Sequence, residues 1–130
     1  MAHEGMVLKP VGGHYTFVIS NPETDCQNVV CVTMITCRKD IDETRECVLL
    51  PGDHVVVSRK SMVAYQFSHV LDAKLINRRI ANNTYQHYPP PCSLDLLTRL
   101  RDGAFRTNKT PARIREILVQ QGYRREAKGD

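Results

Sequence analysis

Two apolar runs organise the chain. Residues 15–20, Tyr-Thr-Phe-Val-Ile-Ser, are aromatic and β-branched, follow Gly12-Gly13, and stop at Asn21-Pro22. Proline cannot continue a strand ladder and pushes the residue before it toward extended or turn geometry, so a strand should end there. The second run, Val29–Thr36, is apolar at both alternations, the pattern of a strand buried on both faces. Joined by the polar stretch 23–28, the two predict the centre of a small sheet. Shorter apolar segments follow at 47–50, 54–58 and 62–67, separated by Pro51-Gly52-Asp53 and Arg59-Lys60-Ser61. In the first of these breaks proline presets φ for a turn and glycine supplies a positive φ. Strands at this spacing predict a small barrel or sandwich rather than a βαβ sheet. Residues 1–10 are weakly patterned and read as an arm or short edge strand. The charged stretch 38–46 reads as a loop.

Near Val70 the period changes. Val70, Leu71, Leu75, Ile76 and Ile80 fall near one helical face, and Asn82-Asn83 stops that helix. Residues 85–91, Tyr-Gln-His-Tyr-Pro-Pro-Pro, read as an extended linker, because consecutive prolines favour polyproline II. Two short helices follow. Ser93 is an N-cap, Asp95 suits the first turn, Leu94, Leu96, Leu97 and Leu100 supply the stripe, and Gly103 is the expected stop. Thr110-Pro111 is an N-cap with proline at the first helical position, and Ile114, Ile117 and Leu118 carry the stripe toward Gly122. Residues 123–130 read as a frayed tail. The expectation is one domain, mainly β with C-terminal helices. A small barrel spans about 7–67, a helix and proline-rich linker 68–92, and two short helices 93–122.

Composition adds limits. A chain of 130 residues suits one domain and can bury about two-thirds of its unfolded surface without disulfide staples. No apolar run approaches the ~18–20 residues of a membrane span, and residues 1–10 lack a signal-peptide core. A cytoplasmic protein with no membrane partner is expected. Cys26, Cys31, Cys37, Cys47 and Cys92 are odd in number and include no C-x-x-C pair. They read as free thiols, and the spacing of Cys37, Cys47 and His54 does not recommend a zinc site. No metal or other cofactor is expected. Charge is uneven: residues 99–130 hold nine Lys and Arg against four Asp and Glu. That excess suits either an anionic partner, nucleic acid first, or solvated helix faces.

The order of these features resembles the MazF/PemK family of growth-inhibitor toxins, small SH3-like β-barrels that act on RNA. Residues 12–20 look like the family's glycine, Arg-Pro, apolar strand and serine segment. Val29–Thr36 looks like its second strand, ending in Ile-Thr. Val48-Leu49-Leu50 fits a further strand, and Ser61-Met62-Val63 a Ser-x-Val lead-in to another. The resemblance covers residues 5–72. It implies a metal-independent endoribonuclease of a toxin–antitoxin pair, a homodimer, and an antitoxin partner. The family's threonine is Thr36, whereas His14 stands at its arginine position and Tyr15 at the following proline.

RNA cleavage by 2′-hydroxyl attack needs a base, an acid for the departing 5′-oxygen, and donors for the phosphorane oxygens. His14 suits a proton carrier, since imidazole ordinarily titrates near ~6.5. Thr36 can donate to a phosphate oxygen, and these two are the candidate catalytic residues. Gly12, Gly13, Ser20, Arg38, Lys39 and Lys60 are the candidate contacts to single-stranded RNA. Each has a plainer reading: His14 as a turn residue, Thr36 as a strand end, Arg38-Lys39 as a solvated loop. Tyr85, His87 and Tyr88 near Arg78-Arg79 either form a stacking platform for bases or pack the proline linker. The competing reading of the whole chain is a non-catalytic barrel that binds a protein partner through an apolar patch or an open strand edge.

Overall fold

The computed structural model describes residues 1–37 and 47–123. Among them, seven strands make one antiparallel sheet: β1 (Val7–Pro10), β2 (Thr16–Val18), β3 (Val29–Thr36), β4 (Val48–Leu49), β5 (Ser61–Val63), β6 (His69–Leu71) and β7 (Tyr85–His87). Three α-helices accompany it: α1 (Ala73–Ala81), α2 (Leu94–Arg106) and α3 (Ala112–Gln120). The strand path is β4-β5-β3-β2-β1-β7, with β6 on β3 as well.

The long strand β3 is the hub. Its first half pairs β6 along one edge, with Cys31 opposite His69, and its last three residues pair β5 along that edge, with Thr36 opposite Ser61. The 3-10 turn Tyr65–Phe67 lies between β5 and β6 and lets one edge serve both strands. The other edge of β3 pairs β2, with Val32 opposite Phe17.

The two phases of the sheet bury different cores. Val7, Phe17, Ile19, Val30, Val32 and Met34 pack with Leu96, Leu100, Ile117 and Leu118 of α2 and α3. Leu8, Val18, Val29 and Cys31 pack with Ala73 and Ile76 of α1 and with Tyr85. That is why Val29–Thr36 is apolar at both alternations.

The expected barrel is not closed, because β4 and β7 end the path without pairing each other. Two local departures account for this. Residues 54–58 form no strand: the Val57 N–H donates to the His54 carbonyl at 3.0 Å, and Val55 is left 73% exposed. Tyr85–His87, expected as linker, is instead a strand along β1, with Leu8 opposite His87 and Pro10 opposite Tyr85. One strand is thus missing from the route round the barrel, and another occupies the edge that closure would use. As a result β1 is an interior strand rather than an arm or an edge.

The helices also differ from expectation in detail. Val70 and Leu71 belong to β6, and α1 begins only after Asp72, whose carboxylate accepts from the Lys74 N–H at 2.8 Å. Ser93 caps α2 as expected, accepting from the Leu96 N–H at 3.1 Å. The helix runs through Gly103 to Arg106, because burial of Ala104 and Phe105 outweighs the roughly 1 kcal/mol that glycine costs inside a helix. Leu94 leaves the stripe and is 75% exposed. Thr110 does not cap α3. Its N-cap is Pro111, and the Thr110 hydroxyl is buried without a hydrogen-bond partner among the described residues.

Two arginines on α2 tie distant segments together. The Arg101 Nε donates to the Ile19 carbonyl at 2.7 Å, its guanidinium also bonds Glu4, and it lies 4.0 Å from the Tyr123 ring centroid. The Tyr123 hydroxyl donates to the same Glu4 carboxylate at 3.2 Å. Tyr123 is therefore docked rather than frayed, while residues 124–130 lie outside the described residues. Arg99 donates to Asp53 at 2.9 and 3.3 Å, and Asp53 also accepts from the Leu50 N–H at 2.8 Å. Burial pushes the Asp53 carboxyl up, but the Arg99 and Leu50 bonds outweigh it and hold the group below its usual range.

None of the five cysteines, all of them among the described residues, is in a disulfide. Burial pushes the thiols of Cys31 and Cys92 up to about 12 and also raises Cys47, so these three carry little thiolate near neutrality. A chromogenic thiol reagent should find five thiols in the denatured chain. In the native protein Cys26, which is exposed, should react first, and Cys31, Cys47 and Cys92 should wait for unfolding.

Candidate functional site

Most of the candidate residues fall at one end of the sheet. The turn from β1 to β2 needs its two glycines: Gly12 has φ +76°, and a Cβ on Gly13 would meet the Pro10 ring at 3.1 Å. The Gly13 N–H donates to the Pro10 carbonyl at 2.9 Å and closes that turn. His14 follows, exposed, with its ring free of hydrogen bonds among the described residues. Past the last paired residues Thr16 and Thr33, the Met34 N–H donates to the Tyr15 carbonyl at 2.9 Å. That bond carries the β2–β3 ladder to the end where Thr36 stands. On the other side of β3, Thr36 is opposite Ser61, and the Cys37 N–H donates to the Lys60 carbonyl at 3.2 Å. Gly12, Gly13, His14, Thr36 and Lys60 therefore share one sheet end, and all but the half-buried Gly13 are exposed.

Ser20 does not join them. It lies beyond the opposite end of β2, fully buried, and its hydroxyl accepts from the Val30 N–H at 2.8 Å. Its work there is to hold the exit of β2 against β3. Arg38 and Lys39 follow Thr36 in the chain but lie outside the described residues.

Strand alternation decides which groups can act together. Thr36 is in phase with Met34 and hence with Tyr15, on the side of the sheet that packs α2 and α3. His14 is in the phase of Thr16, on the other side. The phase of Thr36 also contains a set of groups that sequence reasoning missed. Lys9, the residue before Pro10 in β1, lies with its Nζ 5.4 Å from the Tyr15 ring centroid. The Tyr15 and Tyr88 rings meet edge to face at 5.2 Å, and the Tyr88 hydroxyl donates to Gln86 at 2.9 Å. Burial raises the Tyr15 hydroxyl, and the neighbouring Tyr88 raises it further. The only sequence signal for Lys9 is its spacing from Tyr15 across a glycine turn, which becomes a contact once the register is known.

Of the two readings of Tyr85, His87 and Tyr88, the stacking platform does not assemble. Tyr85 is buried, and Arg79 both donates to its hydroxyl at 2.7 Å and covers its ring. His87 meets His3 edge-on at 5.9 Å. Of the three, only Tyr88 faces the sheet end.

His54 has a structural task. It is buried, its Nε2 lies 2.5 Å from the Pro90 carbonyl, and its Nδ1 accepts from the Val56 N–H at 3.3 Å. With Nδ1 accepting, the ring's bond to the Pro90 carbonyl is made by an Nε2–H donor. Beside it, Val55, Gly52, Pro90, Pro91 and Ser93 line a groove of about 490 Å³. No helix among the described residues is long and apolar enough to cross a membrane.

Comparison with known proteins finds no family model, no curated protein and no solved structure that matches this chain.

Proposed function

We propose that this chain is a divergent MazF/PemK-like protein that binds single-stranded RNA at the sheet end formed by the β1–β2 turn, Thr36 and Lys60. The observation that carries this reading is the register, which gathers five of the eight candidate residues, all but one of them exposed, beside Lys9, Tyr15 and Tyr88. Lys9, in the phase of Thr36, attracts the phosphate to which the Thr36 hydroxyl donates, and Lys60, one residue out of phase with Ser61 and so on the side of His14, attracts a neighbouring phosphate across the sheet end. Tyr15 and Tyr88 offer ring surface to unstacked bases. Binding without cleavage is the reading the geometry favours. Cleavage needs a proton carrier and a phosphate donor on the same reacting group, and His14 and Thr36 belong to opposite strand phases.

The test is fluorescence anisotropy of a labelled unstructured RNA at low salt. Lys9→Ala and Lys60→Ala should each lower the salt slope by about 0.7, the value for one lost phosphate contact on a single strand. Tyr15→Ala should weaken binding by about 1–3 kcal/mol. His14→Ala should change affinity little, and the RNA should stay intact at every pH. Cleavage that follows imidazole titration and vanishes in His14→Ala would restore the endoribonuclease reading. No RNA binding by the parent protein would end the proposal.

One observation favours the alternative, a protein-binding module: Val55, 73% exposed, lines the groove at Pro90-Pro91. In that case Val55→Asp would abolish partner capture, and Lys9→Ala with Lys60→Ala would not.

A further inference from the structure

We propose that His3 and His87 form a two-imidazole site for a late divalent transition ion, Zn²⁺ or a close neighbour, which clasps the segment before β1 to the edge strand β7. Nothing in this site depends on RNA binding.

The fold brings the two rings together from distant parts of the chain. His87 stands opposite Leu8 in the β1–β7 ladder and shares the phase of Tyr85, the side of the sheet that carries α1. His3 reaches that side because the segment before β1 is pinned at several points. The Ala2 N–H donates to the Asn77 Oδ1 of α1 at 2.6 Å, and Ala2 packs against the same core as Tyr85. The His3 carbonyl accepts from the Met6 N–H at 3.2 Å, and the Gly5 N–H donates to the Val18 carbonyl at 2.8 Å. With both backbones held, the ring centroids lie 5.9 Å apart at an interplanar angle of 77°.

That spacing is close to what a shared ion requires. Zinc–nitrogen bonds of about 2.0–2.1 Å at a tetrahedral angle put two imidazole centroids about 5 Å apart. Both side chains are exposed, so rotation about their own bonds closes the difference without moving the backbone. The nitrogens are available as well. The His3 Nδ1 lies 3.1 Å from the Met1 carbonyl. Donation of Nδ1–H to a backbone carbonyl is the usual support behind a metal-binding histidine, and it leaves the Nε2 lone pair for the ion. The His87 ring makes no hydrogen bond among the described residues. No cluster of three or more His, Cys, Asp or Glu forms among the described residues, so water fills the remaining positions and the ion is exchangeable. Imidazole ligands select Zn²⁺, Ni²⁺ and Cu²⁺ over Mg²⁺ and Ca²⁺, which take oxygen.

Isothermal titration calorimetry of the whole untagged chain with Zn²⁺ tests the proposal. A Cys26→Ser background removes the exposed thiol as a competing ligand. One ion should bind per chain, and Mg²⁺ should give no binding heat. His3→Ala and His87→Ala should each weaken binding about tenfold or more, and the double variant should be little worse than either, because the gain comes from two ligands held together. His69→Ala should change nothing. A chain lengthened by two residues ahead of Met1 should bind as the parent does. Zn²⁺ should also raise the melting temperature of the parent by a few degrees and that of neither single variant, since only the folded chain presents the pair. Both positions are exposed, so circular dichroism of the metal-free variants should match the parent. A parent that does not bind Zn²⁺ would overturn the proposal and leave a plain edge contact between two rings. Binding indifferent to His87→Ala would overturn it too. So would binding lost on lengthening the chain, which would assign the ion to the terminal amine.

Discussion

Phe17→Ala should lower the unfolding free energy by about 3–5 kcal/mol, a large share of the roughly 5–15 kcal/mol that holds a domain together. Phe17 is fully buried in the middle of β2, between Val7 of β1 and Val32 of β3. It projects into the core shared with α2 and α3. The backbone ladder on both sides keeps β2 from moving inward to fill the space, so the loss should lie toward the upper end of that range. Phe17→Leu, which keeps most of the volume, should cost far less. Urea denaturation followed by circular dichroism measures both. Equal and small losses for the two would mean that this core is not the tight packing described.

Arg101→Met is expected to be the next most damaging change, at about 2–3 kcal/mol. The methionine keeps an unbranched stem for packing but loses the bond to the Ile19 carbonyl, the pairing with Glu4 and the contact over Tyr123. Removing one member of a partly buried ion pair costs more than the pair contributes, because the partner stays desolvated. Glu4→Gln in the Arg101→Met background should therefore recover part of the loss. An additive cycle would show that Glu4 and Arg101 do not act as a unit.

What could be read from the sequence was whatever local pattern and length decide together. β2 and β3 were legible because residues 15–20 and Val29–Thr36 are bounded by glycine, proline and polar residues. The Ser93 cap and the glycine turn at Gly52, with φ +109°, were legible for the same reason. β7 was not. Its three residues precede a proline run, and only pairing with β1 makes them a strand. Residues 54–58 fail in the opposite direction, since an apolar run is set into a turn by the bond from Val57 to His54. Gly103 reads as a helix stop from the sequence because its cost within the helix is local, whereas the burial that offsets it is tertiary.

The candidate site divides in the same way. Residue type marks His14, Thr36, Lys60 and the glycines, which the register brings to one sheet end, whereas Ser20, also beside a strand end, lies at the other. The opposite phases of His14 and Thr36, and the contact between Lys9 and Tyr15, depend on a register that no single segment specifies.

The interior position of β1 also sets an order of events during synthesis. β1 leaves the ribosome before both strands it pairs with, and it cannot finish that pairing until β7 arrives, because Leu8 faces His87. Glu4 must wait longer still, for Arg101 and then Tyr123. The nascent chain can build β2 and β3 early, but it must hold Val7 without α2 and α3, and Leu8 without α1 and Tyr85, until those later elements exist. Premature termination anywhere before residue 88 would leave that strand with a bare edge, so truncated products should aggregate rather than persist as folded fragments.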